Sequence, residues 1–316
     1  MNTAFANYWF LTGPTASGKT DVGIELARTL DAEIVSMDSM ALYRRMDIGT
    51  AKPTAMERAA VPHHLIDVAE PYDNFSLADY LRLADRACAG IVARGKQVLL
   101  VGGTPLYLKA LLRGVFEGPS ADWELRRGWQ AFAEREGNAA LHAELAKVDA
   151  LTAGRLHPQD RRRIIRALEV FAKTGESITQ LQRQFDISRQ AHECRVFVLH
   201  WPREQLVPRI NGRVDAMFVA GWVEEVRELV AREFPLSRTA LQAVGYREII
   251  EYLLSERGLS ETMELVKIRT RQFAKRQLTW FRSQSECRWV GVREPFEPAK
   301  VADEIAQSTW IPTAFR

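Results

Sequence analysis

Residues 13–20 read GPTASGKT, two glycines with four residues between them, followed by Lys and Thr. No other stretch restricts the fold as tightly. A loop that wraps its backbone N–H groups around a chain of phosphates must leave a strand and open a helix whose N-terminus points at the ligand. Both flanks agree. Tyr8, Trp9, Phe10 and Leu11 form a short apolar and aromatic run fit for a buried strand, and Val22, Ile24, Leu26, Ala27 and Leu30 give the stripe of a helix. In that setting Gly13 and Gly18 allow close backbone approach, and Pro14, Thr15, Ala16 and Ser17 form the body of the loop. Lys19 brings a point charge to the distal phosphates and the Thr20 hydroxyl is placed to hold Mg²⁺. A chance Gly/Ser-rich turn would lack the strand, the helix, or both.

The first third of the chain alternates strand-like runs at 8–11, 33–36, 65–68 and 97–101 with helical patterns at 19–30 and 77–93. Such alternation predicts an α/β fold of the P-loop NTPase type, a parallel sheet flanked by helices with ligands at the carboxyl ends of its strands. Asp38 and Ser39 follow the second strand and Gly102, Gly103 and Thr104 follow the fourth, so both turns are expected at the crevice of the P-loop. From 123 to 189 the periodicity is helical throughout, which predicts an inserted all-helical domain over 119–191 between core segments 1–118 and 192–316. Its best-defined helix covers 160–173, with Gly175 as its C-cap. Strand character returns at 195–200, followed by helices at 203–219, 223–232, 246–255 and 260–283, a short strand at 289–292 and a closing helix at 298–308.

At 316 residues, 47% hydrophobic and 26% charged, the chain has core enough for one large domain or two modest ones. It has neither a bilayer-spanning apolar run nor a cleavable leader pattern, so a cytoplasmic protein is expected. Cys88, Cys194 and Cys287 are scattered, and His63 and His64 have no partner at ligand spacing, which argues against a disulfide framework or a zinc site. A net charge of +3 does not by itself argue for a nucleic-acid partner. Its distribution is more telling. Arg155, Arg161, Arg162, Arg163 and Arg166 gather in one stretch, and Lys267, Arg269, Arg271, Lys275, Arg276, Arg282 and Arg288 in another.

P-loop proteins that cleave ATP or GTP at the terminal phosphate commonly carry an Asp at the end of a hydrophobic strand to hold Mg²⁺. Here the candidate strand, QVLLV, ends in Gly102-Gly103-Thr104, and a guanine-reading Asn-Lys-x-Asp stretch is absent. The carboxylate that does stand at a strand tip is Asp38.

Taken together, GPTASGKT at 13–20, DSMALYRRMDIGTAKP at 38–53, PHHLID at 62–67, VGGTPLYLKALL at 101–112, RRIIRALEV at 162–170, RVDAM at 213–217, AVGYREI at 243–249 and TRQFAKRQLTWFR at 270–282 resemble the bacterial tRNA dimethylallyltransferases, also called tRNA isopentenyltransferases, over essentially the whole length. The resemblance implies transfer of a dimethylallyl group from dimethylallyl diphosphate to the exocyclic amine of the adenosine just 3′ of a tRNA anticodon; neither a membrane nor an obligate protein partner is expected. The P-loop, residues 13–20, would then hold a diphosphate leaving group. Lys19, Arg213, the loop amides and Mg²⁺ at Thr20 would neutralise its charge, and Asp38 would take the proton of the amine. The family pattern also places Thr104 at the reaction centre, and assigns tRNA contacts to Asp38, Ser39, Met40, Ala41, Thr104 and Arg126. Further contacts fall on Arg162, Arg163, Ile164, Ile165 and Arg166 of the insert, and on Gln242, Gly245, Arg247, Lys275, Arg276 and Arg282. Reaching the amine requires the adenosine to leave its stack, which suits an anticodon loop gripped through phosphates and bases.

Gln159, Arg161 and Arg162 stand where the family more often has Asn, Pro and Gln, adding positive charge to the insert. Plainer roles exist for several of these residues. Asp38 and Thr104 could cap helices, Arg213 and the basic stripe of 267–282 could be solvated, and Phe273, Trp280 and Phe281 read as core. Two other functions also use a P-loop: an ATP-dependent small-molecule kinase with the insert as a lid, and a non-catalytic RNA-binding module. The intact Lys19, Thr20 and Asp38 speak against the second.

Overall fold

The computed structural model describes residue 5 and residues 7–114, 118–181, 190–232 and 234–308. The chain divides into two compact units, with one break between Leu112 and Arg113 and the other between Ser188 and Arg189.

The larger unit is built on six parallel strands: β1 (Trp9–Thr12), β2 (Ala32–Ser36), β3 (His63–His64), β4 (Gln97–Val101), β5 (Arg195–His200) and β6 (Cys287–Gly291). Their order across the sheet is β3-β2-β4-β1-β5-β6, every neighbouring pair parallel. Every residue of β1 and β2 is buried, as parallel strands covered on both faces require. The covering helices include α1 (Lys19–Leu30), α2 (Ala55–Ala60), α3 (Leu77–Ala93) and α4 (Pro105–Arg113). Helix α3 starts where it does because Ser76 and Asp79 form a capping box, each side chain accepting the other's backbone N–H. One sheet face packs a core around Phe10, Val35, Tyr80, Leu108 and Phe281, the other around Leu11, Leu26, Phe197 and Trp201.

Because β2, β4 and β1 are adjacent and parallel, the three turns that leave their carboxyl ends emerge side by side. These are the turn at Asp38, the turn at Gly102–Thr104 and the P-loop. The expected strand at 65–68 is not formed. The strand on that edge is the shorter β3, and the chain turns sharply after it, with Leu65 at φ 62° and Asp67 at φ 57°. An apolar run was the signal, but Asp67 instead turns inward to meet Lys52 and Arg58.

The smaller unit holds α5 (Trp123–Glu136), α6 (Asn138–Val148), α7 (Ala150–Arg155), α8 (Arg161–Thr174) and α9 (Ile178–Leu181), packed around Leu141, Leu145, Ile164 and Leu168. Asp160 caps α8 by accepting the Arg163 N–H, and Gly175 ends it at φ 73°. The remainder of the expected helical stretch, 182–189, lies outside the described residues. The larger unit resumes with β5 and continues through α10 (Arg203–Val219), α11 (Trp222–Val230), α12 (Tyr246–Leu253), the long α13 (Leu259–Arg282), β6 and α14 (Pro298–Gln307).

Candidate active site

A cleft of about 720 Å³ opens above the carboxyl ends of the strands, within the larger unit. Its floor is the P-loop. Gly18, the N-cap of α1, takes φ 81°, a conformation that favours glycine. Three of the loop's carbonyl groups are engaged: Pro14 O accepts from Lys19 Nζ (2.7 Å), Ser17 O from Trp201 Nε1 (3.0 Å) and Ala16 O from Arg209 Nε (3.2 Å). Arg209 lies 4.2 Å from the centroid of the Trp201 ring and pairs with Glu294. With these acceptors engaged, the loop presents the first-turn amides of α1, which have no intrahelical acceptor, to the cleft.

Two cations reach this floor. Arg213, from α10, donates to Thr15 Oγ1 (3.1 Å). Burial lowers the pKa of Lys19 to about 7, the Arg213 charge adds to the effect, and the charge of Asp38 opposes it. Arg213 is likewise lowered by burial and supported by Asp38. Two buried cations beside backbone amides can receive a multivalent anion.

The opposite wall carries Asp38. Its Oδ1 accepts the N–H groups of Met40 (2.8 Å) and Ala41 (3.3 Å), which caps the turn and fixes the carboxylate at the cleft. Thr104 does not cap α4 with its side chain. Its hydroxyl oxygen accepts the Ser39 N–H (3.0 Å), while its carbonyl receives the helix amides of Tyr107 and Leu108. Thr104 thereby braces the turn that holds Asp38. Ser39 and Met40 line the cleft, and Thr20 lies at its α1 edge. Among the described residues no group of three His, Cys, Asp or Glu could hold a metal ion alone.

Three further residues were not among the expected site residues. Gln277 of α13 is 4% exposed, accepts the Thr15 N–H (2.9 Å) and donates to Gly103 O (2.6 Å). Its signal was a polar residue on the apolar stripe of an amphipathic helix. Glu225 accepts three consecutive N–H groups, from Asp47, Ile48 and Gly49, and the Tyr246 hydroxyl. Lys52, from the same signature segment, is buried against Tyr43 O, Asp47 and Asp67. Trp222 fills the space beside Gly49 and Gly245, where an added Cβ would meet its ring at 2.1 Å. Gly245 is therefore a packing position, whatever else passes near it.

Other expected contact residues divide by exposure. Ile164 and Ile165 are buried in the core of the helical unit, so their side chains hold α8 and cannot themselves touch RNA. Arg126 and Arg166 clasp the fully buried Glu169, Arg126 through two hydrogen bonds (2.9 and 2.7 Å). Arg162 and Arg163 are exposed on α8, with Arg163 paired to its own cap Asp160. The unusual Gln159 and Arg161 both bond to Asn138. In the larger unit Ala41 is buried, Gln242 lines the cleft while bonding Arg238 O, and Arg247 pairs with Glu251. Lys275, Arg276 and Arg282 are exposed along α13, whereas Lys267 and Arg271 of the same helix are engaged by Asp215, Glu264 and Asn211. Phe281 is core and Trp280 packs against it, but Phe273 lines the cleft instead.

Comparison with known proteins agrees with this geometry. Residues 41–284 match the family model described as IPP transferase. A tRNA dimethylallyltransferase of Trichlorobacter lovleyi is 47% identical over 90% of this chain and 93% of its own, and one of Rhodopirellula baltica is 47% identical over 94% and 91%. The crystal structure of the tRNA isopentenylpyrophosphate transferase of Bacillus halodurans superposes with a TM-score of 0.67 at 38% identity, covering 95% of this chain and 96% of that one. A eukaryotic dimethylallyltransferase captured acting on tRNA gives 0.76 at 25% identity, covering 95% and 77%. A P-loop cleft with Asp38 on its far wall, on a sheet shared with these enzymes, leaves one conclusion: the chain belongs to the tRNA dimethylallyltransferase family of transferases.

Proposed function

We propose that this enzyme transfers the dimethylallyl group of dimethylallyl diphosphate to the exocyclic N6 amine of the adenosine 3′ of the anticodon in tRNA. The observation that carries the reading is one cleft holding a P-loop with Lys19 and Arg213 on one side and Asp38 on the other, while β4 ends in Gly102-Gly103-Thr104 without a carboxylate. Hydrolysis at phosphorus needs a water aimed in line at the phosphoryl group; breaking a carbon–oxygen bond does not. The N6 nitrogen attacks C1 of the allyl group, the C1–O bond breaks with its electron pair leaving on the diphosphate, and the amine proton passes to Asp38. An aromatic amine is a weak nucleophile, which is why a held base matters. Lys19, Arg213 and the loop amides meet the charge that grows on the leaving group. Mg²⁺ bound through the diphosphate and the Thr20 hydroxyl would share that charge.

Arg162 and Arg163 of the helical insert, with Lys275, Arg276 and Arg282, would grip the anticodon stem-loop through its phosphates. The three thiols, all buried and none in a disulfide, suit the reducing cytoplasm. The test is mass spectrometry of digested tRNA after incubation with enzyme, Mg²⁺ and dimethylallyl diphosphate. Prenylated adenosine is expected, and its absence in a preparation that binds both substrates would remove the reading. Asp38→Ala should leave tRNA affinity within a few-fold and slow turnover by about 100-fold or more, the usual cost of a lost general base.

A further inference from the structure

Gln277 is the buried side chain that spans the two working parts of the cleft. One end accepts the Thr15 N–H of the P-loop, and the other donates to the Gly103 carbonyl, one residue before Thr104. From Thr15 the chain of contacts continues to Arg213, and from Thr104 to the Ser39 N–H and the Asp38 turn. Lower down, Thr12 Oγ1 bonds Gly102 O (2.7 Å), so the carboxyl ends of β1 and β4 are already fixed to each other there. Above that point the two turns leave the sheet, and among the described hydrogen bonds Gln277 is the side chain that joins them. The fit is close. An added Cβ at Gly103 would lie 2.6 Å from Gln277 Nε2.

We propose that Gln277 is a positioning residue that sets the leaving-group cradle at reacting distance from the Asp38 turn. The inference rests on the transferase reading above. Gln277 touches neither reacting atom; it acts through Thr15 and Gly103. A small misplacement of reacting groups slows chemistry far more than it weakens binding, with losses of about 100-fold for a shift near 1 Å.

Gln277→Met keeps the volume and removes both hydrogen bonds. It should lower kcat by roughly 30-fold or more while the KM values for the allylic diphosphate and for an anticodon stem-loop RNA stay within about threefold. Gly103→Ala attacks the same link from its other end and leaves Gln277 in place, so it should give the same pattern, and it carries the test if the Met variant does not fold. Because both changes break one link, the double variant should lose no more than about threefold beyond the worse single variant, where independent sites would multiply. A folded Gln277→Met enzyme with kcat within threefold of wild type overturns the inference, as does a KM increase above tenfold at unchanged kcat, or multiplicative losses in the double variant. Failure of the wild-type enzyme to prenylate the RNA overturns the reading beneath it instead.

Discussion

The P-loop at 13–20 and the signature segment at 47–53 line the same cleft and are made of the same parts: a run of backbone N–H groups, a glycine under close packing, and a lysine. They are used in opposite ways. In segment 47–53 the anion is supplied by the protein, because Glu225 occupies the amides of Asp47, Ile48 and Gly49, and Lys52 is neutralised by Asp47 and Asp67. In the P-loop three carbonyl groups are tied to Lys19, Trp201 and Arg209, and among the described residues no carboxylate accepts from the loop's amides. What separates a ligand site from a structural lock is therefore whether the fold brings its own counter-charge. Where it does not, burial and the neighbouring Arg213 charge lower the lysine's pKa, as at Lys19.

The two lysines give the sharpest way to break this comparison. Lys19→Met should lower kcat/KM by about 10²–10³-fold, the range seen when one donor to a developing oxyanion is removed. It should not harm folding, since a buried cation without a bonded carboxylate is not a source of stability. Lys52→Met should do the reverse. Removing the buried cation strips Asp47 of its partner and leaves Asp67 with Arg58 alone. The cost should be about 2–4 kcal/mol, under the full 3–5 of a wholly buried pair because Asp47 and Asp67 remain partly wet. Denaturant melts alongside steady-state kinetics separate the two. If Lys52→Met melts like wild type, or Lys19→Met keeps its turnover, the distinction fails.

A gentler probe is Gly49→Ala. Its Cβ would sit 2.1 Å from Trp222 Nε1 and 2.6 Å from the Tyr246 ring, in a wall already filled by both. Overpacking of this kind costs about 1–3 kcal/mol. Glu225 would keep its hold on the amides, so kcat in the folded fraction should change by less than threefold, as read from melts and active-site titration.

Much of this fold could be read locally. Helices 19–30 and 77–93 and strands 97–101 and 195–200 run over the residues their patterns mark, because each is a periodic or continuous apolar run with a capping box, a P-loop or a turn at its end. The placement of the P-loop and Asp38 at the cleft was legible for the same reason: each directly follows a strand in adjacent residues. The lock at 47–53 was not, since Glu225 lies 178 residues from the Asp47 amide it accepts, and neither segment shows the pairing by itself. The run at 65–68 misled because apolarity says nothing of a positive φ, and the charge at Asp67, which did carry information, was paired with a lysine on another segment. Gln277 stood in plain sight as a polar break in the stripe of Ala274 and Phe281, but what it joins depends on which strands are neighbours.

The smallest expected effect tests the waiting cation itself. With a pKa near 7 against an ordinary value of 10.5, Lys19 binds fewer protons folded than unfolded between those limits. Stability therefore rises with pH through that window, and the cost of burying the charge is largest below pH 7. Lys19→Met should melt above wild type at pH 7, and the gap should close as pH approaches 10. Inorganic diphosphate favours the charged form, so its binding must raise the Lys19 pKa. Above pH 7 each binding event takes up a proton at this site, and affinity falls by up to about tenfold per pH unit, the limit for one linked proton. Titration calorimetry at pH 8 in buffers of different ionisation enthalpy measures that uptake. Arg213, whose charge persists throughout, should contribute none, so a Lys19→Met enzyme that still takes up the proton would assign the linkage to another group and leave the P-loop no different in kind from the lock beside it.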